Sequence, residues 1–313
     1  MSSEIISTNE LAKYYGKILG IENITLKIPS GGVGLLGANG AGKTTLIRTL
    51  LGIIRPTSGS AEVLGHDIRS GIHEIRDLIG YMPEINSSFV PESNAMQFVA
   101  FCGRMNGLAS SESKQRASDS LYYVGLGEER YRLLKTFSLG MKQKVKLAIA
   151  LVHDPQILIC DEPTNGLDPK GRAQMLNLLK DLQVNQGKNV ILSSHLLRDV
   201  EQTTDHAIVI SQGKVLTSGK IRELTEGKRS TVSVKLKSKA KEQELISTLN
   251  KSGVEAWQER AYVEVEQNVN QSVEEEIFTV AVAIGAEIRY LGSRSRTLEE
   301  VFLNLFQDEE AIV

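Results

Sequence analysis

The sequence predicts an α/β fold with a largely buried parallel sheet, a helical insert, and a smaller α+β domain behind it. Three observations carry that reading. Up to about residue 228, short apolar runs of strand length alternate with segments on helical spacing, which is the texture of an α/β core. A glycine-rich loop, Gly37-Ala38-Asn39-Gly40-Ala41-Gly42-Lys43-Thr44-Thr45, sits between one such run and one such segment. Beyond Gly227-Lys228 the pattern changes to strands in which apolar and polar residues alternate.

In chain order, Ile21 to Ile28 alternates in part and ends at Pro29, as a strand with one exposed face does. Val33 to Leu36, Ile157 to Cys160 and Val190 to Leu192 are short and apolar, which predicts parallel strands covered on both faces. From Asn94 to Val152 no strand is legible, and the stretch reads as helical. Between Lys170 and Gln186, Met175, Leu176, Leu178, Leu179 and Leu182 recur on helical spacing, with Gly187 placed to close the helix. Farther on, Val232, Val234 and Leu236 mark a half-buried strand. Leu245, Ile246 and Leu249 mark a helix closed near Gly253, and Val263 with Val265 another strand. Ile277 to Ile284 reads as a second helix and Ile288 with Tyr290 as a strand. Thr297 and Glu300 form a capping box opening a last helix through Val301, Phe302, Leu305 and Phe306. That order is βαββαβ with a terminal helix. The expected domains are 1–228, with a helical subdomain over about 85–145, and 229–313.

Composition excludes several classes. With 313 residues, 41% hydrophobic and 24% charged, the chain has material for about two globular domains and a sizeable core. A net charge of -2 and a pI near 6.3 leave no electrostatic footprint for nucleic acid, so none is expected as a partner. No apolar run approaches the roughly 18 residues of a membrane-spanning helix. Met1-Ser2-Ser3-Glu4 lacks the basic and apolar regions of a secretory signal, so a cytoplasmic chain is expected. Cys102 and Cys160 have no spacing that points to a disulfide framework or a zinc site, and both read as small buried residues. Lys235, Lys237, Lys239 and Lys241 alternate as on a solvated strand face.

The loop at Gly37 matches G-x-x-x-x-G-K-[ST]. Its glycines let successive backbone N–H groups turn inward around phosphate oxygens with no Cβ in the way. The helix starting near Lys43 adds the positive end of its dipole. Lys43 is placed for the β- and γ-phosphates and the Thr44 hydroxyl for Mg²⁺. Gly37, Asn39, Gly40, Ala41, Gly42, Lys43, Thr44 and Thr45 are accordingly the candidate nucleotide contacts. Alone, the motif leaves kinases, GTPases and motors open. Ile157-Leu158-Ile159-Cys160-Asp161-Glu162 supplies the second half: Asp161 at the strand end is placed to hold Mg²⁺, and Glu162 to polarise an attacking water.

With these residues in place, the chain resembles the ATP-binding cassette (ABC) ATPases. Phe137-Ser138-Leu139-Gly140-Met141-Lys142-Gln143 resembles the family's signature, usually L-S-G-G-Q. The order of P-loop, signature, acidic strand, Gly166-Leu167-Asp168 and Ser194-His195 matches the family across some 200 residues. The resemblance implies ATP and Mg²⁺ as cofactors, hydrolysis, and two ATP molecules sandwiched between two antiparallel copies. It implies that Ser138 and Gly140, with Met141 beside them, bind the γ-phosphate held by the opposite subunit. They open the helix containing Val145, Ala148, Ile149 and Val152, whose first N–H groups form an anion site. It further implies that Asp168 touches the partner chain and that His195 contacts the γ-phosphate. Tyr15, in Lys13-Tyr14-Tyr15-Gly16, would stack on adenine, with Tyr14 as the rival.

Two departures from the family pattern matter. Glu84, in Ile79-Gly80-Tyr81-Met82-Pro83-Glu84, stands where the family usually has glutamine. A carboxylate there still serves to ligate Mg²⁺ or orient water, and it adds charge beside a triphosphate. In the signature, Leu139 replaces a glycine and Met141 the glutamine, while Ser138 and Gly140 keep what backbone anion binding needs. Both changes resemble the exporter branch, whose ATPase subunits are separate polypeptides acting on a separate membrane subunit. That branch often ends in a small α/β domain with a helix like Leu298 to Phe302. The expected function is therefore the ATP-hydrolysing subunit of an exporter, dimeric and bound through its helical insert to an integral membrane permease at the inner face of the membrane. The alternative is a soluble ABC ATPase acting on nucleic acid or ribosomes, against which stand the single cassette and the acidic pI. The C-terminal domain shows no catalytic constellation and is expected to strengthen or regulate the dimer.

Overall fold

In the computed structural model, which describes residues 4–84, 92–226, 230–259, 261–267 and 273–293, the chain divides into two units, Met1–Ile221 and Arg222–Val313. The first opens with two long strands, β1 (Glu4–Tyr15) and β2 (Ile18–Pro29). The short strand β3 (Gly32–Leu36) then runs into the glycine-rich loop and α1 (Lys43–Leu50). After β4 (Ser58–Val63) and β5 (His66–Asp67) come α2 (Ile72–Leu78) and β6 (Ile79–Met82). The described part of the helical insert comprises α3 (Ala95–Met105), α4 (Ser110–Tyr123) and α5 (Leu139–Leu151). The chain returns to the core as β7 (Ile157–Asp161), α6 (Pro169–Val184), β8 (Asn189–Ser194), α7 (Leu197–Thr203), β9 (His206–Ser211) and β10 (Lys214–Lys220).

Helix starts follow local chemistry. Asn94 caps α3 in a reciprocal box with Gln97, and Ser138 Oγ accepts from the Met141 N–H at 3.3 Å where α5 begins. At α6, Asp168 Oδ1 accepts from the Gly171 N–H at 3.0 Å, and Pro169 takes the first helical position, where a missing N–H removes no helical bond.

Two sheets share one core. Strands β2-β1-β4-β5 form an antiparallel sheet; β10-β9-β3-β8-β7-β6 form the other, parallel except for the edge strand β10. Strands β3 and β7 are buried at every position and β8 at all but its first, as strands covered on both faces must be. Cys160 of β7 has no exposed surface, and burial pushes its thiol pKa well up. Helix α1 contributes Leu46, Ile47 and Leu50 to a cluster with Ile21, Ile24 and Leu26 of β2 and with Val33, Ile159, Ile191 and Ile208 of the parallel sheet. Truncating one such leucine to alanine costs about 2–5 kcal/mol. The phosphate loop is thereby anchored at both ends in close-packed apolar structure.

In the second unit, α8 (Ile221–Glu226) is followed by β11 (Ser230–Leu236), α9 (Glu242–Lys251), β12 (Ala256–Glu259), β13 (Tyr262–Gln267), α10 (Glu274–Ala283) and β14 (Ile288–Ser293). Its antiparallel sheet, ordered β12-β13-β11-β14, is the split βαββαβ arrangement. Val232, Val234, Val263 and Val265 pack there against Leu245, Leu249 and Ile277. The four alternating lysines do not share a strand face. Strand β11 ends at Leu236, Lys237 pairs with Glu287 at 2.7 Å, and Lys239 and Lys241 lie in a 3-10 turn. Lys241 donates to the Gly285 carbonyl at 2.7 Å, meeting the free carbonyls behind α10. The helix expected from Thr297 lies outside the described residues.

Candidate active site

Strand register sets the site. Leu36 pairs with Ser194 and Asp161 with Ser193, so β3, β7 and β8 bring their C-terminal ends side by side, the edge at which parallel sheets bind ligands. The next residues are Gly37, Glu162 and His195. A Cβ at Gly37 would lie 2.4 Å from the Ile210 carbonyl, so the loop leaves β3 where no side chain fits. Gly42 caps α1 at a φ of +110°, and a Cβ there would lie 2.7 Å from the Gly20 carbonyl; glycine is required on both counts. A groove of about 380 Å³ is lined by Tyr15, Ile18, Leu19, Gly20, the loop from Ala38 to Thr45, Glu84 and Glu162. Gly37 and Asp161, both buried, stand behind that lining.

Charges converge at its floor. Lys43, 5% exposed, donates from Nζ to the Gly37 carbonyl at 2.7 Å and the Ala38 carbonyl at 3.2 Å, and pairs with Glu162 Oε1 at 3.3 Å. The second Glu162 oxygen meets His195 Nδ1 at 2.8 Å. Glu162 adopts a φ of +49° while its N–H donates to the Ser193 carbonyl at 3.0 Å. A left-handed residue bearing a side chain costs on the order of 1 kcal/mol, and here it turns the carboxylate off the line of β7 toward Lys43 and His195. The Thr44 hydroxyl donates to Asp161 Oδ2 at 2.8 Å, whereas Asp161 Oδ1 is buried with no hydrogen-bond partner. A hydroxyl oxygen and a carboxylate with a spare oxygen, held together, fit Mg²⁺, which takes one or two protein oxygens and completes its shell with phosphates and water. Among the described residues no group of three or more His, Cys, Asp or Glu is placed to hold a metal ion.

The remaining candidates separate cleanly. Tyr15, 44% exposed, lines the groove with Lys13 Nζ 5.3 Å from its ring centre. Tyr14 does not line it and instead donates its hydroxyl to Glu22 at 2.7 Å. Glu84 lines the groove and accepts from Asn165 Nδ2 at 3.3 Å. Ser138, Gly140, Met141 and Asp168 lie apart from this groove and form a second cluster: a Cβ at Gly166 would meet Leu139 Cδ2 at 2.8 Å, so the signature and the Asp168 turn abut.

Sequence reasoning missed a brace behind the site. Asp199, 1% exposed on α7, accepts from Thr164 Oγ1 at 2.7 Å and from Arg172 Nε at 2.6 Å, and Arg172 Nη2 also pairs with it. One carboxylate thus ties the turn after Glu162, the start of α6, and the helix after His195. Nothing in the local pattern of α7 marks Asp199 as buried.

A phosphate loop level with an acidic strand end and a histidine defines a P-loop ATPase. Residues 21–165 match the family model described as ABC transporter. The chain is 40% identical over 215 residues to the bacitracin transport ATP-binding protein BcrA of Bacillus licheniformis, spanning 68% of this chain and 69% of that one. It is 30% identical over 316 residues to the daunorubicin resistance ATP-binding protein DrrA3 of Streptomyces coeruleorubidus, spanning 100% and 99%. Among solved structures, the dimeric MJ0796, a bacterial ABC transporter cassette, superposes with a TM-score of 0.63 at 25% identity, covering 70% of this chain and 99% of that one. The protein belongs to the ATP-binding subunits of ABC transporters and is an ATPase.

Proposed function

We propose that the protein is the motor of an exporter, acting as a dimer of two copies bound to an integral membrane permease at the inner face of the membrane. The observation that carries this reading is the meeting of Lys43, Glu162, His195, Thr44 and Asp161 at three adjacent strand ends. In it, Lys43 exchanges its contacts with the loop carbonyls and Glu162 for phosphate oxygens. Glu162, oriented by His195, accepts the proton of the attacking water. Thr44 and Asp161, with Glu84 nearby, would hold Mg²⁺, whose chemistry there would be to neutralise charge on the phosphates. Backbone N–H groups from Asn39 to Thr45 cradle the phosphates, and Tyr15 stacks on adenine.

Ser138, Gly140, Met141 and Asp168 face the second copy, a reading supported by their separation from their own chain's groove and by the dimeric MJ0796 cassette. Permease docking on the helical insert is supported by the exposure of Phe101, Met105 and Tyr122 there, and an outward direction by the resistance named for DrrA3. Among the described residues no helix is long and apolar enough to cross a membrane, so the permease would supply the spanning part. Residues 1–228 would form the catalytic domain and 229–313 an accessory domain that strengthens or regulates the dimer.

Glu162→Gln tests the assignment. Turnover should fall by about 10² or more, because the water loses its base, while MgATP should shift the chain from monomer to dimer in size-exclusion chromatography. Wild-type turnover in that variant, or a chain that stays monomeric in saturating MgATP with its permease present, would overturn the proposal.

A further inference from the structure

Lys146 is a buried cation that the reaction above does not use. It lies on α5, about two turns beyond Ser138, and is 3% exposed. Its Nζ donates to the main-chain carbonyls of Pro83 at 3.3 Å and Glu84 at 3.2 Å. Among the described residues no carboxylate lies within ion-pair distance of it. A leucine or methionine would fill the same space with no charge to desolvate. Burial lowers the Lys146 pKa, and the negative charge of Glu84 opposes that shift.

The held segment matters because of what it carries. The Glu84 side chain lines the nucleotide groove and accepts from Asn165, in the turn that follows Glu162. We infer that Lys146 is a positioning residue that pins the Pro83–Glu84 main chain to α5, fixing where the Glu84 carboxylate stands at the groove. The inference rests on the assignment of Glu84 to the nucleotide site.

Steady-state ATPase assays on the full chain, with rates expressed per ATP-binding site, test it. Lys146→Met keeps an unbranched stem one atom shorter and removes the ammonium. It should lower kcat about tenfold, leave KM for ATP within about twofold, and raise the Mg²⁺ concentration needed for half-maximal rate. Lys146→Arg, which again offers N–H groups to two carbonyls, should restore most of the rate. In a Glu84→Ala background, Lys146→Met should change kcat by less than about twofold, because the group it positions is gone. A full tenfold loss in that background, or a wild-type rate in Lys146→Met alone, would sink the inference. Silent kinetics in Glu84→Ala by itself would instead remove Glu84 from the site before residue 146 is touched. If Lys146→Met does not fold, Lys146→Gln carries the same comparison.

Discussion

A single imidazole shows how burial sets the chemistry of one side chain. His153 Nε2 lies 3.1 Å from the Ile79 carbonyl and so carries the proton, while Nδ1 is buried with no partner. Burial holds its pKa below the ordinary 6.5. The unfolded chain therefore takes up the second ring proton, at Nδ1, more readily than the folded one. The stability contributed by the neutral ring is complete above about pH 6.5 and is lost as pH falls through the depressed folded value. Thermal melts should show Tm dropping between about pH 7.5 and 5.5, and less steeply in His153→Gln, whose amide still donates to Ile79 without titrating. At this scale the sequence was most legible where fixed spacing carries chemistry: Lys43, Thr44, Asp161 and Glu162 are brought together as their motifs imply. It was silent where chemistry depends on a distant backbone. The left-handed turn of Glu162, the tether of Lys146 and the burial of Asp199 leave no trace in residue type or period.

At the scale of elements, β3, β7 and β8 were legible because a run covered on both faces is apolar throughout. Strand β1 was not, since its pairing with β2 shifts register around Thr8 and Leu11 and breaks any two-residue period. Strand β12 has four residues, Ala256 to Glu259, too few to establish alternation. Helix α6 was legible from its apolar spacing and α7 was not, and nothing in either segment shows that Asp199 joins them through Arg172. Asp199→Asn keeps an acceptor for Thr164 but strips Arg172 of its ionic partner. With Arg172 32% exposed, water recovers part of that loss, so a destabilisation of about 1–3 kcal/mol is expected in urea titrations. In an Arg172→Met background the same substitution should cost much less, as a double-mutant cycle would reveal.

At the scale of the whole molecule, every candidate site residue belongs to the first unit, and the second has its own sheet and its own apolar core. A chain ending at residue 228 should therefore still bind and hydrolyse ATP. If the C-terminal domain strengthens the dimer, truncated Glu162→Gln protein in MgATP should dissociate at a concentration about tenfold higher by analytical ultracentrifugation; an unchanged constant would leave that domain some other task. The parallel sheet has a consequence of its own. Cys160 sits sealed within β7, one residue from Asp161, its thiol held protonated. A small alkylating reagent can reach it only when β7 parts from its neighbours, so its slow modification, set against that of half-buried Cys102, is a native stopwatch for the opening of the sheet with and without nucleotide.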